Sequence, residues 1–366
     1  MAKGVLAILG SGETAPGMTK VHRELLSRIS DVRAVNLDST YGFQLNVPQM
    51  TAKLVEYFKV SLQTELQPLS LISFEGASGV ERELFRQGVR GATYVFAGPG
   101  SPSYALSQWK PLGLEDDLVE VLENGGSVCF SSAAALTLGA FTAPIYEVYK
   151  AGSPLYWLDG LNLMALIGLN CVVIPHFNNS EGENYDTSCC YLGLKRLEQL
   201  EALLPENTAT LGIDEHTALL IDLENQTLSV TGKGNVYWRS NEIVLIFEPG
   251  STTPLQELAV QTPRPVAKSA TPAEQLGTSP LELASAVEAG GAAATSALAK
   301  LVTMATGAKE GAIDPGELIT ALLAVRTALK ADGNYLLADT LRNIITASGI
   351  EIHDGSSGST WSIEKK

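Results

Sequence analysis

The sequence predicts an α/β fold, a mostly parallel sheet flanked by helices, with a small and mainly helical C-terminal domain behind it. Two observations carry that expectation. From residue 4 to 248, short β-branched runs alternate with longer stretches of helical period, the pattern of a sheet covered on both faces. Between 249 and 280 the composition shifts to Pro, Thr, Ser, Ala and Gln with little periodicity, as in an exposed tether. A length of 366 residues suits two folded units. The expected organisation is therefore a domain over 1–250, a flexible linker over 251–280 and a helical domain over 281–366.

Strands are expected over 5–9, 32–37, 69–73, 94–97, 127–130 and 171–174, each a short apolar run ending in polar or Gly-containing residues. Helices are expected over 18–29, 50–62, 80–89, 114–123 and 191–204, where apolar residues recur every three or four positions. Strand patterns then crowd together at 217–222, 228–231, 235–237 and 243–247, an antiparallel meander closing the domain. Beyond the linker, 281–306, 315–330 and 335–348 have helical spacing. Residues 349–363 alternate Ile350, Ile352, Trp361 and Ile363 around a turn at 354–359, a terminal hairpin.

Charge and cysteine content narrow the function. A net charge of −15 and a pI near 4.8 disfavour nucleic acid or an anionic membrane as a partner, because both are captured by clustered Lys and Arg. Cys129, Cys171, Cys189 and Cys190 form neither a disulfide framework nor a zinc spacing, so a reducing, cytoplasmic setting is expected, with no metal or other cofactor. No export signal is visible. The most apolar stretch, 158–174, is broken by Asp159, Asn162 and Asn170 and falls short of the ~18 residues a membrane span needs.

Residues 125–135 read GGSVCFSSAAA, a buried strand, two serines and a run of alanines entering a helix. A serine between strand and helix with small neighbours meets the steric demand of a nucleophile elbow, which fits Ser132 best; Ser131 is the alternative, and either serine could instead cap the helix. Among four histidines, His176 stands at a strand end beside the polar Asn178-Asn179 loop. His22, next to Lys20 and Arg23, reads as solvent-facing. Serine and histidine at comparable ends of two strands in one sheet would converge at its carboxyl edge. Glu147 is the carboxylate expected to orient the imidazole, against the plainer reading of a surface charge.

Five segments in order carry a resemblance: 10–14 (GSGET), 96–100 (FAGPG), 132–135 (SAAA), 175–177 (PHF) and 212–219 (GIDEHTAL). By these the first ~250 residues resemble the cyanophycinase and aspartyl-dipeptidase family of serine peptidases, relatives of the class I glutamine amidotransferase fold. The resemblance implies Ser132 as nucleophile, His176 as general base and acid, Glu147 as third member, and backbone N–H donors from Ala133 and from Gly98 or Gly100 for the oxyanion. Asn178, Glu181 and Glu215 are the substrate-binding candidates. Family members acting on aspartyl dipeptides are expected to use an arginine after the histidine, yet 177–194 holds no Lys or Arg. Glu181, Glu183 and Asp186 in that stretch suit an α-amino group or a cationic side chain instead.

Residues 321–363 are similar to the C-terminal tail of cysteinyl-tRNA synthetase, through Leu337-Ala338-Asp339, Leu341-Arg342, Gly349-Ile350 and Gly358-Ser359-Thr360-Trp361. The resemblance implies a borrowed module for docking or pairing subunits, compatible with a homodimer, with tRNA a low-ranking partner because the local charge is mixed. The leading expectation is hydrolysis of a short peptide or an amide through an acyl-enzyme. The rival is a noncatalytic ligand-binding or sensing protein of the same fold. Glutamine amidotransfer would call for a cysteine nucleophile, and Cys129 lies three residues too early, inside the strand.

Overall fold

The computed structural model describes residues 3–240 and 243–261, the terminal hairpin, and single positions between 319 and 342. In chain order the first half comprises β1 (Val5–Leu9), α1 (Pro16–Ser27), β2 (Ala34–Leu37), α2 (Val47–Tyr57), β3 (Leu66–Leu69), α3 (Gly79–Arg90), β4 (Tyr94–Ala97), α4 (Pro102–Trp109), α5 (Leu114–Glu123) and β5 (Ser127–Ser131). There follow α6 (Ala133–Leu136), β6 (Phe141–Thr142), α7 (Ile145–Tyr149), β7 (Leu158–Asp159), β8 (Cys171–Ile174), α8 (Leu194–Glu201) and β9 (Ala209–Ile213). Then come β10 (Thr217–Asp222), β11 (Thr227–Gly232), β12 (Val236–Ser240), β13 (Ile243–Phe247), β14 (Thr252–Pro254) and α9 (Gln256–Gln261). The hairpin is β15 (Ile350–Gly355) and β16 (Gly358–Ile363).

The main sheet has the order β14-β11-β10-β1-β5-β4-β2-β3, with β1, β5, β4, β2 and β3 parallel and β10, β11 and β14 antiparallel. β1 is buried on both faces, so its alternation feeds two cores. Leu6 and Ile8 join α3, α4 and α5 through Phe85, Val89, Trp109 and Leu118, while Val5, Ala7 and Leu9 pack with Met18, Val21 and Leu25 of α1. On the first face Arg86 and Arg90 both donate to the buried carboxylate of Asp117, tying α3 to α5.

Three expectations are corrected here. The meander is divided: β10 and β11 extend the main sheet, while β12 and β13 join a second sheet of order β13-β12-β9-β8. β10 occupies the edge of β1, which leaves β8 to pair with β9 in that second sheet. The first unit also continues past 250, because β14 pairs with β11 and Leu255 and Leu258 enter the core, so the expected linker begins too early. The chain divides into two compact units, Met1–Arg264 and Pro265–Lys366. His22, finally, is fully buried. Its Nε2 donates to the Glu13 carbonyl at 2.8 Å and its Nδ1 accepts from the Tyr94 hydroxyl at 2.6 Å. Helical period correctly puts it on α1, but on the core-facing side with Met18, Leu25 and Leu26.

In the C-terminal unit, β15 and β16 pair as the alternation predicts, with Ile352 opposite Trp361. Ile319, Leu322, Leu323 and Arg326 are helical and buried, an i, i+3, i+4, i+7 stripe. The helix expected over 281–306 and most of the expected linker lie outside the described residues. Among the described residues no helix is long and apolar enough to cross a membrane.

Two measurements test this packing. Leu255→Ala should lower the unfolding free energy by about 2–5 kcal/mol in urea, the cost of emptying a core site, whereas a residue in a solvated tether would cost almost nothing. Burial lowers the His22 pKa from 6.5 to about 4, partly offset by its bond to the Glu13 carbonyl. Between those pH values the unfolded chain holds a proton that the folded chain does not, so this residue's stabilisation is complete above pH 6.5 and is lost on acidification towards 4, on the order of 3 kcal/mol. The stability difference between wild type and His22→Gln should shrink by that amount from pH 7 to pH 4; a difference independent of pH would refute the assignment.

Candidate active site

Three neighbouring parallel strands, β1, β5 and β4, end side by side, and the residues just beyond them are Gly10, Ser132 and Gly98. Ser132 N donates to the Leu9 carbonyl, and Ala134 N to that of Gly98, so the serine turn is tied to both flanking loops. At Ser132 the backbone has φ 53° and ψ −118°, a conformation an L-residue rarely adopts. This is the sharp turn expected between strand and helix. It frees the side chain from the helix-capping role, since Ser132 Oγ makes no cap bond to α6.

Ser132 Oγ lies 2.8 Å from His176 Nε2, and His176 Nδ1 lies 2.7 Å from Glu215 Oε1. A carboxylate only accepts, so Nδ1 carries the proton and donates to Glu215, which leaves Nε2 of the neutral ring to accept from the serine hydroxyl. Glu215 is held in turn: Asn179 Nδ2 donates to the same Oε1 at 3.0 Å, and the Glu215 backbone N–H donates to Asn178 Oδ1 at 2.8 Å. Burial works against the Glu215 charge, but hydrogen bonds from His176 and Asn179 outweigh it and hold the carboxyl below its usual range. An imidazole so anchored can take the serine proton during attack and return it to a leaving group.

The histidine and serine come from different sheets, β8 from the smaller and β5 from the larger, and the expected convergence within one sheet does not occur. The sheets are joined instead at Gly10. Its N–H donates to the Thr217 carbonyl, and its own carbonyl accepts from His176 N, while Phe177 N donates to the Ile213 carbonyl. A Cβ on Gly10 would lie 2.0 Å from the Asp214 carbonyl oxygen.

Glu147, expected beside the imidazole, stands elsewhere. One of its oxygens accepts from the Ser103 hydroxyl and the other is buried without a partner, while both ring nitrogens of His176 are engaged by Ser132 and Glu215. Glu215, expected as a substrate contact, occupies the orienting position. It follows a buried strand at the same edge as His176, a signal present in the segment Asp214-Glu215-His216. Asn178, also expected to touch substrate, supports Glu215 from within the loop. Asn179, which no sequence motif marks, is 2% exposed and braces the same carboxylate. Glu181 accepts from the Tyr191 hydroxyl at 3.0 Å, and the Tyr191 ring lies 6.0 Å from that of His176. Ser131 is fully buried and donates to Glu13 Oε2 at 3.0 Å, away from the histidine. Cys129 is sealed inside β5 and burial pushes its thiol up to about 12, which suits no nucleophile.

Gly98 belongs to the loop over which the oxyanion donors are expected. Gly100 has φ 148°, and a Cβ there would lie 1.9 Å from the Thr40 carbonyl oxygen, so the loop is pressed onto the segment after β2. Ala133 opens α6 directly after the serine. Among the described residues no group of three or more His, Cys, Asp or Glu is disposed to hold a metal ion.

The molecule is thus a mixed α/β domain with a serine on a strained strand–helix turn, bonded to a carboxylate-anchored histidine. Among solved structures it is similar to a peptidase from an acI-B1 Actinobacterium, at 20% identity and a TM-score of 0.54 over 69% of this chain and 97% of that one. It is also similar to a putative peptidase E protein from Listeria monocytogenes EGD-e, at 16% identity and a TM-score of 0.43 over 63% of this chain and 99% of that one. No family model and no curated protein matches the sequence. The first likeness is one of fold.

The junction at Gly10 can be tested. Gly10→Ala should force the turn bearing Glu215 away from β1, slowing any reaction of Ser132 with a fluorophosphonate by roughly tenfold or more, because positioning errors of about 1 Å cost that much. Labelling at the wild-type rate would show that the junction does not position the site.

Proposed function

We propose that this chain is a serine hydrolase that cleaves short peptides or an amide through an acyl-enzyme, related in chemistry to the cyanophycinase and aspartyl-dipeptidase peptidases. The observation that carries the reading is the series Ser132–His176–Glu215, with separations of 2.8 and 2.7 Å and the serine held at φ 53°. In this reading Ser132 attacks the carbonyl, His176 accepts its proton and passes it to the leaving amine, and Glu215 holds the tautomer and stabilises the imidazolium. The N–H groups of Ala133 and of Gly98 or Gly100 would receive the oxyanion; Pro99 has none to offer. The fold shared with the actinobacterial peptidase is consistent with this chemistry, and every group invoked lies between residues 98 and 215, inside the first unit.

Mass spectrometry after fluorophosphonate treatment should find a single adduct on Ser132. Loss of hydrolysis should be about 10⁴-fold or greater in both Ser132→Ala and His176→Ala, and smaller by a factor on the order of 10 to 100 in Glu215→Gln, since the members act as a unit and the orienting carboxylate is the least costly to remove. An adduct on Ser131, or wild-type turnover in His176→Ala, would overturn the assignment.

A further inference from the structure

A cavity of about 450 Å³ opens where α2 faces the ends of β1 and β4. Its walls are Met50, Leu54 and Tyr57 of α2, Tyr41, Phe96 of β4 and Pro99 just beyond that strand. The size suits one side chain or a small ligand. Gly98 and Glu13 complete the border nearest the reaction centre, one from each of the two loops that flank Ser132. Gly98 accepts from Ala134 N, two residues after the serine, and Glu13 accepts from the hydroxyl of Ser131, the residue before it. The cavity therefore adjoins the nucleophile turn and the proposed oxyanion loop together.

The face of the sheet on which it lies decides what it can hold. Phe96, Leu54 and Tyr57 pack with α1 in one core, whereas Ala134 and Ala135 of α6 and Cys171 and Val173 of β8 belong to the core on the opposite face. His176 thus reaches Ser132 from one face, and the cavity lies on the other. A leaving amine must stand within reach of His176 Nε2 to receive its proton, which leaves the cavity to the acyl half of a substrate. Its surface is mostly carbon. Positions 50, 54 and 57 share one stripe of α2, and all three side chains are only half-buried. The Tyr57 hydroxyl is engaged with that of Thr19 at 3.0 Å, and the Tyr41 hydroxyl with Asn36 and Thr51 at 2.9 and 3.0 Å, so these rings offer apolar surface. Of the two charged residues at the border, Lys53 is exposed on α2, while Glu13 stands beside Ser131 and repels an acidic acyl group.

We infer that this cavity receives a large apolar side chain, of the class of leucine, methionine or phenylalanine, from the residue whose carbonyl Ser132 attacks. The inference rests on the hydrolase reading for its place in catalysis, but not for its binding. It sets this chain apart from the aspartyl dipeptidases it resembles, because the acyl pocket selects carbon and disfavours a carboxylate. The lack of Lys and Arg over 177–194 agrees with that choice.

Binding is tested on full-length Ser132→Ala protein carrying methyl-labelled methionine, titrated with Nα-acetyl-leucinamide, Nα-acetyl-glycinamide and the α-amide of Nα-acetyl-aspartate. The Met50 methyl, identified in the NMR spectrum by its loss in Met50→Leu, should shift saturably with the leucine probe. Its Kd should be roughly tenfold or more below that of either other probe, as expected when an apolar side chain leaves water. The methyls of the fully buried Met18 and Met164 should stay in place. Turnover is tested on the wild type with the p-nitroanilides of the same three acetylated residues, which share one leaving group; kcat/KM should favour leucine roughly tenfold or more. Met50→Glu, which puts a charge on the wall, should bring both ratios close to one. A Met50 methyl that does not move, equal affinities, or a leucine preference that persists in Met50→Glu would overturn the pocket. Selective binding with turnover indifferent to the acyl residue would overturn its assignment to the acyl half. Fluorophosphonate labelling is read separately: an unlabelled, inactive protein whose Met50 methyl still selects leucine loses the hydrolase reading and keeps the apolar site, and a labelled protein without selection does the reverse.

Discussion

The close approach of β1's end to the turn at 213–217 is the constraint on which the rest of the site depends. β1 is the strand at which the parallel half of the large sheet meets its antiparallel half, and β9 delivers the chain from the smaller sheet to that same point. Gly10 bonds both to Thr217 and to His176, and it has no Cβ to hold the Asp214 carbonyl away. Where the two sheets touch, the serine of one meets the histidine and glutamate of the other. Without that closure the three groups would stand on separate layers.

Polar groups around the closure are satisfied in a graded way. The Glu215 carboxylate receives donors from His176 and Asn179, and its backbone amide is pinned by Asn178. Ser131 is silenced by Glu13, and Glu13 in turn receives the buried His22 on its carbonyl. The bonds to Ser131 and to Glu215 each remove an alternative, a second reactive serine and a mobile carboxylate, while burial keeps the core histidine unprotonated against the pull of its bond to Glu13. Not every buried oxygen is answered: Asp214 Oδ1, beside the closure, and Oε2 of Glu147 have no hydrogen-bond partner.

Backbone strain is present at the site itself. Ser132 and His176 both have positive φ, at 53° and 48°, as does His216 at 55°. Conformations of this kind cost about 1–3 kcal/mol each and survive only where the surroundings over-determine them. Here those surroundings are the fully buried β1, β5 and β8, whose side chains pack on both faces and leave the strand ends no freedom to relax.

The sequence by itself determined the layered α/β class, the serine at the strand–helix turn, the histidine at a strand end and the terminal hairpin. These are local matters, set by the alternation of apolar residues and by the small side chains a tight turn demands. The tertiary structure alone decided which carboxylate faces the imidazole. Glu147 and Glu215 lie 15 and 83 positions after Ser132, and nothing in either neighbourhood of sequence records that β10 takes the edge of β1 and carries Glu215 across to His176. It also decided that His22 is core and not surface, because helical period orders the faces of α1 without saying which of them the sheet will cover. The same holds for β14 and α9, whose short, proline-flanked sequence has too little pattern to declare itself and is ordered by an open edge on β11 and a place in the core for Leu255 and Leu258.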